Sequence, residues 1–192
     1  MNLPNKLTVI RIIMIPIFIL VIGLSWDWGT IEVGTTSLAV TQLVGAIIFA
    51  LASITDWLDG RIARSRGLVT NFGKFADPLA DKMLVMTAFI MLVGQGKVPG
   101  WVAAIIVCRE LAVTGLRLLL VEGGEVMAAA WPGKVKTATQ MFAIIFLMIN
   151  NIPFNLIGLP MDQILLYICL AATIYSGVDY FVKNSSVFKG SM

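Results

Sequence analysis

Long apolar runs recur along this chain at regular intervals, and they constrain the fold more than any other feature of the sequence. A helix needs about 20 apolar residues to cross the hydrocarbon core of a bilayer, and most of the runs approach that length. The third run reaches it when it is extended back through Pro78 and Asp81. The pattern predicts an all-α integral membrane protein with six transmembrane helices, over residues 7–25, 38–54, 83–94, 98–121, 135–149 and 164–178.

Composition agrees with this fold class. Mean hydropathy is +0.91 and only 13% of the residues are charged, whereas a soluble domain of this size needs a larger charged fraction to cover its surface. The chain has no histidine, which excludes His-based acid/base chemistry and His metal ligation. Cys108 and Cys169 both fall within apolar runs, so no disulfide framework is predicted.

The distribution of basic residues predicts the orientation. If both termini lie in the cytoplasm, Lys97 is the one cation in the outer loops, as the positive-inside rule requires. Trp26, Trp28 and Trp101 then fall at the outer interface, as in an aromatic belt. The basic residues adjoin membrane helices, so we expect membrane lipids as neighbours and no nucleic-acid partner.

No linker, low-complexity tract or repeat divides the sequence, so residues 1–192 are predicted to form one membrane domain. The N-terminal segment MNLPNKLTVIR mixes polar and apolar residues, and Pro4 is well placed to begin a helix. We expect this segment to form a short interfacial helix along the inner membrane surface, before the first span.

The stretch TDWLDGRIARSRGLVTNFGKFADPLADK, residues 55–82, concentrates charge in an otherwise apolar chain. Asp56 and Asp59 are three residues apart at the end of the second predicted helix, and Asp77 and Asp81 are four apart at the start of the third. Each pair shares one face of its helix. Four carboxylates confined near hydrocarbon repel one another strongly unless cations neutralise them.

The donor set indicates the cation. Carboxylate oxygens without Cys or His ligands suit Mg²⁺ or Mn²⁺ and argue against a structural zinc site. Two such ions about 4 Å apart are a common arrangement for displacement at phosphorus. A structural explanation is open for single residues, since Asp77 before Pro78 could cap a helix and the first two aspartates could pair with Arg61 or Arg64.

The whole set follows the pattern D-x2-D-G-x2-A-R-x8-G-x3-D-x3-D. It resembles the signature of the CDP-alcohol phosphatidyltransferase family and departs from it at no fixed position. Six helices, inner termini and the chain length also resemble this family. The fixed positions are filled by Asp56, Asp59, Gly60, Ala63, Arg64, Gly73, Asp77 and Asp81.

The resemblance implies a reaction, because members of this family transfer a phosphatidyl group from a CDP-linked lipid to an alcohol and release CMP. By analogy, Asp56, Asp59 and Asp77 would hold one metal ion. Asp77 and Asp81 would lie near a second, and Asp81 would be the general base. The resemblance also suggests a homodimer. The implied CDP-diacylglycerol site comprises Asn5, Thr8, Asp59, Gly60, Ala63, Arg64 and Gly73, with Arg11 beside them.

A second group of charges lies in the later helices. Its members are Arg109, Glu110, Arg117, Lys134 and Lys136. An isolated arginine within the membrane costs at least about 2.5 kcal/mol, so we expect a function for such residues. Four cations converging on one cavity predict a phosphate-bearing acceptor. The alternative is a buried network of Arg109 and Glu110 that orders the bundle, with the two lysines as interfacial anchors.

The segments NLPNKLTVIR, CREL, GLR and GKVKT are most similar to the bacterial family members whose acceptor is sn-glycerol 3-phosphate. The resemblance therefore implies synthesis of phosphatidylglycerol phosphate in the plasma membrane, with the active site facing the cytoplasm. An inositol phosphate or phosphatidylglycerol acceptor stays open within the family. Outside it, a divalent-cation transporter would place carboxylates near the bilayer midplane on interrupted, repeated helices. A catalytically inactive scaffold would not need intact aspartates.

Overall fold

The structure is a computed structural model, and its chain forms a helical bundle with one small hairpin. It describes the backbone of residues 3–34, 36–66, 71–122 and 131–185, and the side chains of these residues apart from 3, 4, 56–66, 71–78, 121, 122 and 132. The helices within these ranges are α1 (Leu3–Gly23), α2 (Val40–Arg66), α3 (Asn71–Gly94), α4 (Gly100–Glu122), α5 (Trp131–Met148) and α6 (Met161–Lys183). The shorter elements are β1 (Thr30–Val33), β2 (Thr36–Ala39) and a 3₁₀ helix (Phe154–Ile157).

Each predicted apolar run overlaps one helix. The third helix begins at Asn71, so the predicted extension back through Asp81 is confirmed. The N-terminal segment differs from the prediction, because α1 runs without interruption from Leu3 to Gly23 and no separate interfacial helix forms among the described residues. Proline in the first turn costs no helical hydrogen bond, so the helix can start at once and continue into the apolar run.

Two helices of the described chain are long and apolar enough to cross a membrane, over Asn5–Gly23 and Met161–Lys183. The apolar part of α2, Val40–Thr55, is shorter. Helix α1 packs on α2 and α3, α5 pairs most extensively with α6, and α4 packs mainly on α6.

The two ends of the bundle differ. The hairpin end holds the β1–β2 hairpin and the α3–α4 and α5–α6 connections, and the aspartate end holds the α2–α3 connection. The buried face of α5 shows the change along one helix, because Lys136 and Gln140 lie towards the aspartate end and Ala143, Ile144 and Leu147 towards the hairpin end. Their spacing of three or four residues is that of a single helix face. The core is therefore apolar near the hairpin and polar near the aspartates.

Hydrogen bonds close the hairpin end. Lys97 Nζ donates to the carbonyl oxygens of Leu147 (2.9 Å) and Met148 (3.3 Å) and to Asn150 Oδ1 (2.6 Å). The last carbonyls of a helix lack partners within it, and a lysine can cap them. Asn150 Nδ2 then donates to the Ser37 carbonyl of β2 at 2.9 Å. Lys97 therefore joins the end of α5 to the hairpin through Asn150.

A second asparagine connects the segment after α5 to the start of α6. Asn151 has φ 61°, a left-handed conformation that asparagine tolerates better than most residues. Its Nδ2 donates to the Leu159 carbonyl at 2.7 Å, and its Oδ1 accepts from the Asp162 backbone N–H at 3.1 Å. Asn155 of the 3₁₀ helix also donates to Thr36 Oγ1 of the hairpin. Neutral amides thus fix the position of the α5–α6 connection.

Candidate active site

The four signature aspartates lie on the two helices that meet at the aspartate end. Asp56 and Asp59 fall near the end of α2, Asp77 and Asp81 fall near the start of α3, and the two helices contact each other. The side chain of Asp81 is described and half-buried. The other signature side chains lie outside the described residues, and they are Asp56, Asp59, Gly60, Ala63, Arg64, Gly73 and Asp77.

Charges from several helices converge on Asp81. Lys136, Arg11 and Lys82 act on its carboxylate with opposite charge, and Glu110 acts on it with like charge. These residues come from α1, α3, α4 and α5, so the end of the signature lies where distant segments of the chain meet. The second group of charges predicted from sequence therefore reaches the signature in space.

One face of α1 also lies at this end. Asn5, Thr8 and Arg11 are buried, and their spacing of three residues places them on one side of the helix. Arg11 Nε donates to the Ala52 carbonyl of α2 at 3.3 Å, and the Arg11 charge acts on Asp81. The three residues expected beside the nucleotide therefore share a buried face that contacts the signature helix.

Glu110 joins two of the predicted phosphate-binding cations. Its Oε1 accepts from Arg109 Nη1 at 3.1 Å and also pairs with Lys136 Nζ. The side chains are little exposed, at 12% for Arg109, 9% for Glu110 and 7% for Lys136. Charges removed from water to this extent require opposite charges beside them. The structure therefore contains the buried contact between Arg109 and Glu110 that the structural alternative predicted. Lys136 belongs to the same network.

Helix α6 holds the other side of Arg109. Arg109 Nη2 donates to Ser176 Oγ at 2.7 Å, and Arg109 Cζ lies 5.7 Å from the centroid of the Tyr180 ring, within the range of a cation–π contact. Gly177 allows this approach, because a Cβ atom there would lie 3.1 Å from Arg109 Cγ. Sequence reasoning missed Ser176 and Tyr180. Ser176 falls within the last apolar run and Tyr180 lies two residues after it, and neither carries a local signal of a site.

Lys82 is a further residue that sequence reasoning left without a role. Its Nζ donates to Thr114 Oγ1, and Thr114 Oγ1 donates to the carbonyl oxygen of Glu110 at 2.5 Å. Lys82 also interacts electrostatically with Glu110, Lys136 and Asp81. Its position directly after the last signature aspartate was the signal that could have identified it.

The structure divides the four predicted phosphate-binding cations into two groups. Arg109 and Lys136 meet at Glu110, whereas Arg117 and Lys134 are exposed. Lys134 and Lys136 are two residues apart on α5, and side chains at this spacing point to different sides of a helix. The charge of Arg117 still acts on Lys82, which also interacts with Glu110 and Lys136.

The cluster formed by Arg109, Glu110 and Lys136 has more hydrogen-bond donors than acceptors among the described side chains. Arg109 Nε is buried without an acceptor there, and so is Nε2 of Gln140. Gln140 is 2% exposed and lies one turn along α5 from Lys136. Buried donors without protein acceptors commonly face water or a ligand. The cluster of Arg109, Glu110 and Lys136 therefore has a net positive charge and more buried donors than the described acceptors use.

The signature aspartates fit a divalent metal by the chemistry of their donor atoms. Within the described side chains no group of three His, Cys, Asp or Glu residues could hold a metal ion, and three of the four aspartates lie outside that set. The four residues offer carboxylate oxygens, which Mg²⁺ and Mn²⁺ prefer.

Comparison with known proteins gives consistent similarities. The family described as "CDP-alcohol phosphatidyltransferase" matches residues 1–175. The "CDP-diacylglycerol--glycerol-3-phosphate 3-phosphatidyltransferase" of Bacillus subtilis (strain 168) is 50% identical over 190 residues, which are 99% of this chain and 98% of the relative. The protein of the same name from Rickettsia bellii is 39% identical over 188 residues, 97% of each chain. A "Probable phosphatidylglycerophosphate synthase" of Mycobacterium tuberculosis is 37% identical over 183 residues, 95% of this chain and 81% of the relative.

Proposed function

The chain belongs to the CDP-alcohol phosphatidyltransferase family, and we propose that it transfers the phosphatidyl group of CDP-diacylglycerol to sn-glycerol 3-phosphate, giving phosphatidylglycerol phosphate and CMP. The names of the similar proteins support this acceptor. One observation carries the proposal: Lys136 acts on the Asp81 carboxylate and pairs with Glu110. The signature and the basic residues of α4 and α5 thereby become parts of one site.

The signature aspartates are the proposed metal site. Asp56, Asp59 and Asp77 would hold one Mg²⁺ or Mn²⁺ ion, and Asp77 and Asp81 would lie at a second. Bound divalent ions would neutralise the diphosphate of CDP-diacylglycerol and stabilise charge on the phosphoryl group during transfer. The carboxylate chemistry of the four residues and the family membership support this assignment.

The CDP-diacylglycerol site is proposed to lie between α1, α2 and α3. Gly60, Ala63 and Gly73 leave the helix surface without bulk, which admits a ligand, and Arg64 provides a charge opposite to the diphosphate. Asn5, Thr8 and Asp59 complete the proposed set. The buried face of α1 that carries Asn5, Thr8 and Arg11 supports this placement.

Asp81 is the proposed general base. It would take the proton of the acceptor hydroxyl while the hydroxyl oxygen forms its bond to the phosphatidyl phosphorus. The bond between this phosphorus and the CMP oxygen breaks, and CMP leaves with that oxygen. The charge of Lys136 acts on the Asp81 carboxylate, which supports placing the acceptor phosphate at Lys136 and its hydroxyl group at Asp81.

The acceptor phosphate is proposed to bind the cations of α4 and α5. Arg109 and Lys136 form the buried part of this pocket, and the exposed Arg117 and Lys134 would attract the anion from solution. Charge-assisted hydrogen bonds are about twice as strong as neutral ones, so the pocket should discriminate against plain glycerol.

The proposal includes a multi-pass protein of the plasma membrane, with both termini and the active site on the cytoplasmic side, that acts as a homodimer. The apolar helices Asn5–Gly23 and Met161–Lys183 and the membership of a membrane-associated family support the membrane location. Lys97 is the one cation in the predicted outer loops, at the hairpin end, whereas many cations lie at the aspartate end. This unequal distribution of basic residues supports the orientation.

The test is an assay of CMP release from CDP-diacylglycerol by the purified protein in detergent, with a panel of acceptors. The panel contains sn-glycerol 3-phosphate, inositol phosphate, phosphatidylglycerol and glycerol, and mass spectrometry identifies the lipid product. CMP release that requires glycerol 3-phosphate is expected. Preference for inositol phosphate would keep the phosphate pocket and overturn the acceptor, and preference for an acceptor without a phosphate monoester would overturn both. Mn²⁺ uptake by proteoliposomes without CMP release would favour a transporter.

A further inference from the structure

We propose that Glu110 is a positioning residue which, with Ser176 and Tyr180 of α6, fixes Arg109 and Lys136 in the arrangement that receives the acceptor phosphate. The inference rests on the proposed function, because it concerns the pocket of a phosphate-bearing acceptor. It assigns a part of the site to α6, a helix without a signature residue.

The first step concerns the shared carboxylate oxygen. Arg109 Nη1 and Lys136 Nζ both contact Oε1 of Glu110, so a single atom sets the separation of the two cations. Without this atom, two like charges would repel each other and their flexible side chains would move apart towards water. Two positive charges and one negative charge leave the trio with a net positive charge, so it still attracts an anion.

The second step concerns the orientation of the guanidinium. Ser176 Oγ donates to the Thr173 carbonyl at 3.2 Å, so the hydroxyl hydrogen is in use and an oxygen lone pair is available to Arg109 Nη2. Tyr180, one turn further along α6, places its ring against the same guanidinium. A planar group that is held by a carboxylate, a hydroxyl and an aromatic ring has little freedom to rotate.

The third step concerns what remains for a ligand. A guanidinium has five N–H donors, and the described contacts of Arg109 use one for Glu110 and one for Ser176. Nε is buried against α6, 3.8 Å from where a Cβ atom of Gly177 would lie, so the donors left for an anion are the second N–H groups of Nη1 and Nη2. Arg109 is therefore fixed in place and can still donate to an anion, which a purely structural ion pair does not require.

The first experiment replaces Glu110. Glu110→Gln should raise the KM for glycerol 3-phosphate by about tenfold to a hundredfold, with the KM for CDP-diacylglycerol changed less than about twofold. Glu110→Asp should restore part of the loss, because it keeps the charge. Asp179→Asn is the matched control, since it removes a carboxylate from the surface pair with Lys183 (2.8 Å) and should leave both KM values unchanged. An unchanged or lower KM for glycerol 3-phosphate in Glu110→Gln would overturn the inference.

A double-mutant cycle tests the α6 contacts without removing a buried charge, in case Glu110→Gln does not fold. Ser176→Ala and Tyr180→Leu should each raise the KM for glycerol 3-phosphate by about threefold to tenfold in the wild-type background. Neither should raise it further when Arg109→Gln is already present, because the group they orient is gone. Thr137→Val, at an exposed hydroxyl of α5, is the control. α6 does not position Arg109 if each substitution raises the KM by the same factor with and without Arg109→Gln. The same conclusion follows if the KM stays at the wild-type level.

The two proposals fail in different ways. If the wild-type enzyme prefers inositol phosphate, the glycerol 3-phosphate assignment fails, and the same cycle measured on the KM for inositol phosphate still decides the positioning inference. If the wild type prefers an acceptor without a phosphate group, the positioning inference fails together with the pocket. If the wild type uses glycerol 3-phosphate and the cycle is additive, only the positioning inference fails.

Discussion

A lysine lies at each end of the bundle, half-buried for Lys97 at the hairpin end and buried for Lys136 at the aspartate end. The two lysines differ in what surrounds them. At the hairpin end, the three N–H donors of Lys97 meet three neutral acceptors, two carbonyl oxygens of α5 and the side-chain oxygen of Asn150. At the aspartate end, Lys136 shares one carboxylate oxygen with Arg109, and buried donors around it have no acceptor among the described residues. A lysine whose donors are all used by the protein stabilises the fold, whereas cations that share one carboxylate have donors left over, as the proposed phosphate pocket requires.

The largest expected effect concerns the aspartates that give the aspartate end its charge. Asp56→Ala or Asp59→Ala should lower kcat/KM for CMP release by at least about 10³-fold, because metal ions supply several kcal/mol of charge stabilisation. EDTA should abolish activity, and excess Mg²⁺ or Mn²⁺ should restore it. Size-exclusion chromatography in detergent checks that the variants stay folded. Near-normal turnover in either variant, or in excess EDTA, would contradict the metal site.

Asp81 should matter for chemistry more than for binding. Asp81→Asn keeps the shape of the side chain and cannot accept a proton, so kcat should fall by about 10² to 10⁴-fold, the contribution of a general base. Binding of CDP-diacylglycerol, measured by equilibrium binding to the detergent-solubilised protein, should change little. A parallel loss of binding and rate would indicate that Asp81 acts chiefly as a metal ligand.

The same substitution at the two ends sharpens the comparison. Lys136→Met should raise the KM for glycerol 3-phosphate by about tenfold to a hundredfold, because a charged hydrogen bond to the phosphate is lost. Lys97→Met should leave both KM values unchanged and lower the thermal midpoint, because it leaves the last carbonyls of α5 without their lysine cap. An equal change of KM in both variants would remove the distinction between a structural and a ligand-binding lysine.

The exposed cations should contribute less than the buried ones. Arg117→Gln or Lys134→Gln should raise the KM for glycerol 3-phosphate a few-fold, since a surface charge acts through solvent and is screened by salt. The increase should exceed any change in the KM for CDP-diacylglycerol. Arg117→Lys should restore the effect only in part, because an ammonium lacks the planar pair of donors. Loss of the effect at high salt would agree with a steering role.

The sequence predicted the helices, because apolar length is a local property of the chain. The aspartate cluster stays a prediction, since three of its four side chains lie outside the described residues. Of the four predicted phosphate-binding cations, two meet at Glu110. The sequence could not predict the contacts of Ser176 and Tyr180 with Arg109, since these depend on how α6 packs against α4. The expected interfacial helix was wrong for a related reason. A polar face on a helix indicates a polar neighbour, and here the neighbour is protein, because Thr8 and Arg11 are buried in the bundle.

The smallest expected effect is a pH dependence of stability at the hairpin end. Burial lowers the pKa of Lys97 to about 8, from 10.5 for an ordinary lysine, although the charge of Asp162 opposes the shift. The folded pKa lies below the unfolded one, so between these values the unfolded chain binds more protons and stability rises with pH. Thermal midpoints of the wild type and Lys97→Met in detergent, from pH 7.5 to about pH 10, isolate this contribution because other titrating groups act equally on both proteins. The wild-type midpoint should rise relative to that of the variant above about pH 8. A constant difference would mean that the Lys97 ammonium is as well solvated in the fold as in the unfolded chain, and the contrast with Lys136 would then rest on hydrogen bonds alone.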